Sequence, residues 1–337
     1  MTGSAPRGPR ITRRLIRSCI ALAAAISLTV GVAACGLQSG GALPLQVKPG
    51  SITVQPDLDG QTVTVGSKDF TEQVILGYIL GFSLSAAGAN VRDLTNIQGS
   101  NSARDAMAAG QVDVTIEYTG TGWINYLGNE QPIPDPTKQF EAVRDEDLKK
   151  NGIVWVNPAP MDNTYALAVN QENAQKTGVS TLSEYAALVK KDPAAATTCV
   201  ETEFRSRQDG FPGMAAKYGF DPAQVQMQIL QTGIIYQAIA NGNCVFGEVF
   251  TTDGRIKALN LNVLEDDKQF FPHYNAAVSM RQDVDEQFPS IAKITAPVMA
   301  KLTSEEITEL NRQVDVEGRE PADVARDWLV KNGFVTV

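Results

Sequence analysis

Short β-branched runs alternate with helical segments along nearly the whole chain, and that alternation leaves few folds open. Residues 62–65 read as a strand, and 71–87 then carry helical spacing. A second strand over 90–97, a helix over 102–109 and a third strand over 112–117 repeat the order. A short helix at 123–127, a longer one over 137–150 and a strand at 153–156 complete the first unit. Pro158 and Pro160 interrupt the pattern. It restarts with a strand at 165–169, a helix at 182–189, a strand at 198–200, helices at 212–218 and 234–240, and strands at 244–250 and 263–264. Residues 270–281 are of mixed character, and 303–332 read as strongly helical, with Ser304, Glu305 and Glu306 suited to a helix start. Strands separated by helices predict α/β architecture, with parallel sheets covered on both faces. The expectation is two lobes joined twice: 59–160 with 271–337 as lobe one, and 161–270 as lobe two.

A chain of 337 residues fits that count at roughly 150 residues per domain. Hydrophobic residues at 43% and charged residues at 20% describe a globular chain and exclude a disordered or collagenous one. The formal charge is -9, and Arg7, Arg10, Arg13, Arg14 and Arg17 all lie ahead of the body, which is therefore more acidic still. Such a body repels phosphate backbones, so no nucleic-acid partner is expected.

Those arginines precede an apolar run over 19–34, and Cys35 follows. A basic start, an apolar core and small residues before a cut describe an export signal over 1–34. The run is shorter than the ~20 residues a spanning helix needs. Val32-Ala33-Ala34-Cys35 looks like a bacterial lipobox, with Cys35 as the lipidated residue; a short N-terminal anchor with an incidental cysteine is the alternative. Both put the body outside the cytoplasm and tethered to the membrane. Residues 35–58, rich in Gly, Ser, Leu and Pro, read as the tether. In an oxidising compartment Cys199 and Cys244 are a candidate disulfide, with two free buried thiols as the alternative.

Catalytic chemistry finds little support. No G-x-S-x-G elbow occurs, and a Ser-His-Asp set would have to use the single histidine, His273. One His and four Cys argue against a metal centre, and no cofactor motif is present. Thr119-Gly120-Thr121-Gly122-Trp123 is neither a Rossmann nor a Walker loop, although as a turn after a strand it could offer N–H groups to an anion. A carboxylate pair of the glycosidase kind stays open, since acids are abundant. The more informative residues are aromatic and cationic and fall where lobes begin and end: Tyr118, Tyr165, Phe250 and Tyr274, with Lys68 and Arg207 in loops after strands. Ligands of open α/β sheets bind outside strand ends, and several aromatic faces with one cationic end would suit a zwitterion.

Six blocks then resemble one family in the same order. Val65-Gly66-Ser67-Lys68-Asp69-Phe70-Thr71-Glu72-Gln73 resembles "VGSKxFTEQ" of the glycine betaine/choline/carnitine binding proteins of ABC importers. Ile116 to Thr121 resembles "xEYTGT", Asn163 to Leu167 "NNTYAL", and Phe204 with Arg207, Asp209 and Gly210 "FxxRxDG". Thr252 to Ile256 resembles "STDGRI", and Phe271 to Ala277 "FPPYxAA". The resemblance implies a type II periplasmic-binding-protein fold, two lobes hinged about a ligand, and no enzyme activity. It implies an aromatic cage at Tyr118, Tyr165, Phe250 and Tyr274, with Lys68, Thr121 and Arg207 toward a ligand carboxylate. The family usually has Tyr at the Phe250 position, and some members have an acid at the Asn163 position. The implied partners are a quaternary ammonium solute and the permease and ATPase subunits of an importer, with the binding protein itself a monomer.

Those residue types suit the task. A trimethylammonium group has no N–H to donate, whereas each desolvated ring face attracts it by roughly 0.5–2 kcal/mol. An Arg on the carboxylate adds on the order of 1.5–3 kcal/mol. After ordering costs, a micromolar affinity, near −8 kcal/mol, is expected. The same fold on another small polar or aromatic solute, and an exported hydrolase using paired carboxylates, are the competing readings.

Overall fold

The computed structural model describes residues 1–4 and 40–337, and the account below concerns 40–337. Apart from its first four residues, the expected signal segment lies outside the described residues, as does Cys35. Thirteen strands are present among the described residues. In chain order they are β1 (Gly41–Ala42), β2 (Lys48–Pro49), β3 (Thr62–Lys68), β4 (Asn90–Ile97), β5 (Val114–Tyr118), β6 (Ile153–Val156), β7 (Tyr165–Asn170), β8 (Thr198–Val200), β9 (Met227–Ile229), β10 (Phe246–Phe250), β11 (Leu261–Val263), β12 (Ala276–Arg281) and β13 (Val335–Thr336).

One sheet runs β1-β4-β3-β5-β12-β6 and the other β11-β7-β10-β8-β9, while β2 and β13 form a separate pair. Both large sheets are mixed, which corrects the expectation of parallel sheets. Pairs such as β3 with β4, joined by a crossover helix, are parallel, as that connection requires. β7 and β12 are the strands entered directly after the chain passes between lobes, so no crossover constrains them. β7 runs antiparallel to β10 and β11, and β12 antiparallel to β5 and β6. The segment of mixed character over 270–281 thus ends in a central strand.

The helix Thr71–Ala86 is apolar on nearly every side and is accordingly buried, with Ile75, Leu76, Ile79, Leu80, Phe82 and Leu84 in the core of lobe one. The helical stretch near the C-terminus is two helices, Ser304–Asp315 and Pro321–Lys331. Gly318 at φ 72° and Pro321 in the first turn of the second make the break. Helices at Gln171–Thr177, Gln282–Gln287 and Ser290–Met299 were not expected from the spacing.

The expected tether is corrected over 40–58, which docks on lobe one. β1 pairs with β4, β2 with β13, and Ile52 and Leu58 are buried. Leu43, Leu45 and Val47 pack on the same core, enough apolar surface to hold a segment that Gly and Pro content suggested was free. In lobe two, Cys199 and Cys244 are joined in a disulfide with Cα atoms 5.8 Å apart, because β8 lies parallel beside β10. The free-thiol alternative does not hold.

Candidate functional site

A cleft of about 730 Å³ has walls from both sheets, and Lys68, Tyr118, Thr121, Asn163, Tyr165, Arg207, Phe250 and Tyr274 all line it. Lys68 and Tyr118 end β3 and β5. Phe250 ends β10 and Tyr165 opens β7, and the two are direct partners across that antiparallel pair. Asn163 and Tyr274 sit on the two segments that pass between the lobes, where the Asn163 N–H donates to the Tyr274 carbonyl at 3.3 Å. Thr121 and Arg207 follow a strand and a short helix on opposite walls.

The rings form one cluster. Tyr165 lies 5.0 Å from Phe250 and meets Tyr274 edge-on at 5.4 Å. Phe70, which was not singled out, stacks on Phe250 at 5.2 Å and faces Tyr118 at 6.1 Å, joining the rings of the two lobes. Its only prior signal was its place in the "VGSKxFTEQ" block. Burial raises the hydroxyls of Tyr118, Tyr165 and Tyr274 well above the ordinary tyrosine range, so all three stay neutral. Gly120 and Gly122 are tightly packed at their Cα positions. A Cβ on Gly120 would stand 2.8 Å from the Tyr274 ring, and one on Gly122 2.9 Å from Trp155, so both glycines serve close packing.

Beside the rings lies an ionic layer. Lys68 Nζ bonds Glu117 Oε1 at 2.6 Å and stands 4.7 Å from the centroid of Tyr118, so the chain's own ammonium already lies against one of these rings. Arg207 donates from Nε and Nη2 to Asp209 at 2.8 and 2.5 Å, and Tyr274 donates its hydroxyl to the same carboxylate at 2.7 Å. The outer edge of Arg207 reaches Ser100 Oγ at 3.3 Å and Thr121 Oγ1 and Glu203 Oε2 at 3.4 Å, long contacts that leave this edge able to take a better acceptor, although a carboxylate of the protein already faces it. Glu203 of lobe two accepts from the Ser100 backbone N–H and, at 2.8 Å, from its hydroxyl in lobe one. Gly99, at φ 81°, allows that approach. Burial pushes the Glu203 carboxyl up, but the Ser100 donors with Lys68 and Arg207 outweigh it and hold it below the usual range.

Glu72 is the other carboxylate that sequence reasoning missed. It is buried and accepts from four donors: Tyr118 Oη and Asn163 Nδ2 at 2.7 and 2.8 Å, and Thr252 Oγ1 and Asn311 Nδ2 at 2.5 and 2.9 Å. Burial raises its carboxyl, and the four donors oppose that. Asp209, Glu117 and Glu72 lay inside the quoted blocks without a role; nothing local marked Ser100 or Glu203.

Among the described residues no helix is long and apolar enough to cross a membrane, and no cluster of three His, Cys, Asp or Glu could hold a metal ion. His273 bonds Asp162 at 2.6 Å and the Pro134 carbonyl at 3.0 Å, and it lines a separate groove behind the cleft.

Two sheets flanked by helices with a ligand-sized cleft between them have the architecture of a type II periplasmic binding protein. Residues 61–331 match the family described as the substrate binding domain of ABC-type glycine betaine transport system, and the chain belongs to that family. It is 35% identical over 274 residues to a glycine-betaine-binding protein of Pseudomonas aeruginosa, covering 80% of this chain and 87% of that one. It is 32% identical over 278 residues to an ergothioneine transport permease/ergothioneine binding protein of Helicobacter pylori, covering 82% of this chain and 49% of that one. A crystal structure of a glycine betaine/carnitine/choline ABC transporter protein superposes with a TM-score of 0.64 at 28% identity, covering 81% of this chain and 99% of that one. The chain is thus an extracytoplasmic substrate-binding protein of an importer of this class.

Proposed function

We propose that the protein captures a quaternary ammonium osmoprotectant, glycine betaine, choline or carnitine, and presents it to the permease of an ABC importer. The observation that carries this is the meeting of five rings, from both lobes and a connecting segment, in one cleft beside the outer edge of Arg207. The rings take the methylated head, which has no N–H for ordinary acceptors. Arg207, Thr121 and Lys68 take the carboxylate of betaine or carnitine. Rings from opposite walls give the ligand more contact when the lobes are closed, so binding drives closure about the two connecting segments. Glu201 and Glu203 line the cleft, and Glu117 and Asp209 already pair with Lys68 and Arg207, so the site favours a ligand of net charge zero or above. Cleavage before Cys35 and its lipidation would hold the monomer at the outer face of the membrane.

A larger betaine is the second reading. The cleft exceeds what glycine betaine fills, and one relative is named for ergothioneine. Titration calorimetry of the chain without its leader, against glycine betaine, choline, carnitine and ergothioneine, tests both. Micromolar binding of the small osmolytes is expected. Binding of ergothioneine alone would favour the second reading, and binding of none would reject the cage.

A further inference from the structure

Glu203 brings a carboxylate of the protein to the place where a ligand carboxylate would meet Arg207. Glu203, Ser100 and Arg207 all line the cleft. From one wall Glu203 accepts from the Ser100 backbone N–H on the other and, at 2.8 Å, from the Ser100 hydroxyl. Oε2 of the same carboxylate lies 3.4 Å from Arg207 Nη1. The other edge of the guanidinium is closed by Asp209, which takes Nε and Nη2. Nη1 is therefore the amino group that Asp209 does not take, and Glu203 faces it.

The placement is built from both walls. The Glu203 N–H donates to Glu201 Oε2 at 2.5 Å, capping the helix Thr202–Ser206, and the Glu203 carbonyl accepts from the Arg207 N–H at 2.9 Å. Opposite, the helix Ser100–Ala108 begins after Gly99, which has no side chain to cap it, so Glu203 supplies the acceptor that its first N–H needs. A Cβ at Gly99 would stand 3.0 Å from Glu203 Oε1, at a φ of 81° that favours glycine. Although burial works against the charge, Ser100, Lys68 and Arg207 keep Glu203 ionised at neutral pH.

Two carboxylates against one guanidinium edge repel each other, whereas a ligand with a hydroxyl there meets no such repulsion. Ligand choice rests on a repulsive element of this kind as much as on the contacts that attract. We infer that Glu203 is a specificity-determining residue: as a built-in carboxylate it occupies the Ser100 and Arg207 donors, penalising ligands that bring a carboxylate of their own and sparing choline, which brings none. This rests on the cage reading and adds to it the ranking of ligands within the class. The bond from Glu203 to Ser100 also joins the two walls when the ligand has no carboxylate to bridge them.

The test is the ratio of glycine betaine affinity to choline affinity, measured by titration calorimetry. Glu203→Gln keeps an oxygen for Ser100 and removes the charge, and it is expected to raise the ratio about fivefold, the scale of one charge pair at a partly exposed site. In an Arg207→Ala background the same change should move the ratio by less than about twofold, because the two carboxylates contend for that guanidinium. An unchanged or lower ratio in Glu203→Gln would overturn the inference, as would an equal rise with Arg207 absent. A second measurement needs no variant: in NMR spectra the Glu203 side-chain carboxyl carbon should shift clearly more on adding glycine betaine than on adding choline. Equal shifts with both ligands would overturn it too. If wild type binds neither ligand, the cage reading and this inference fall together; if it binds them and the ratio ignores Glu203, only this inference fails.

Discussion

Within the cleft, the aromatic wall and the ionic layer are prepared for a ligand in opposite ways. Phe70, Tyr118, Tyr165, Phe250 and Tyr274 form a neutral wall of rings packed stacked, tilted or edge-on against one another, with Lys68 against Tyr118 the nearest cation of the protein itself. Lys68 and Arg207 are already paired, with Glu117 and Asp209. An incoming carboxylate must therefore share a cation that has a protein partner, and its net gain is smaller than an isolated Arg contact would supply. The rings are expected to set affinity, and the ionic layer to choose among ligands that all satisfy the rings.

The largest effect should come from the wall. Tyr165→Ala removes the ring that touches Phe250, Tyr274, Phe204 and Phe271 together. Binding of choline and of glycine betaine should both fall by at least a hundredfold in calorimetry, and loss of one alone would break the division of labour. Next, Arg207→Ala should weaken glycine betaine about tenfold more than choline, which has no carboxylate, in line with roughly 1.5 kcal/mol for one charge-assisted contact. The ratio is the readout, because the change also leaves Asp209 to the Tyr274 hydroxyl alone and lowers stability. Equal losses would reject the assigned role of Arg207.

Behind the ionic layer, Glu248 accepts from the Glu201 backbone N–H, and burial, with Glu201 and Glu203 nearby, pushes its carboxyl up to about 8. A carboxyl raised on folding holds its proton in the folded state, so stability should fall as pH rises from the unfolded value near 4.5 toward 8. Glu248→Gln keeps the acceptor and removes the titration. Urea unfolding should show it more stable than wild type by on the order of 3 kcal/mol at pH 8, and little different at pH 4.5. Parallel curves for the two proteins would show that Glu248 is not the group responsible. The smallest effect belongs to Phe250→Tyr, which keeps the ring face and adds a hydroxyl. Affinity for choline should stay within about threefold, and any change should be in the ranking of ligands; a large general loss would mean that the stack on Phe70 tolerates no polar atom.

Much of the cleft lining was legible because its residues sit in short blocks at strand ends, where local patterning and residue type coincide. Tyr118 closes a β-branched run and Tyr165 opens one, and both could be singled out without knowing which strands pair. Phe70 and Glu72 were within reach of the same reading, since they lie in a quoted block, but neither has a property that distinguishes a cage ring from core or a hub from a solvated acid. Ser100 and Glu203 were not legible at all. Their contact spans 103 residues and exists only when the two walls face each other. The docking of residues 40–58 was hidden in a different way, by a Gly- and Pro-bearing composition that masked Leu43, Leu45, Ile52 and Leu58.

Sequence alone determined the alternation of elements and the aromatic residues at strand ends that line the cleft, because hydrophobic period and ring placement are local properties of the chain. Tertiary structure decided the antiparallel entry of β7 and β12, the Cys199–Cys244 bond, and the four-donor carboxylate at Glu72. Those depend on which distant segments meet. That is settled by burying all the apolar surface at once, with the remaining polar groups left to find partners wherever the packing brings them.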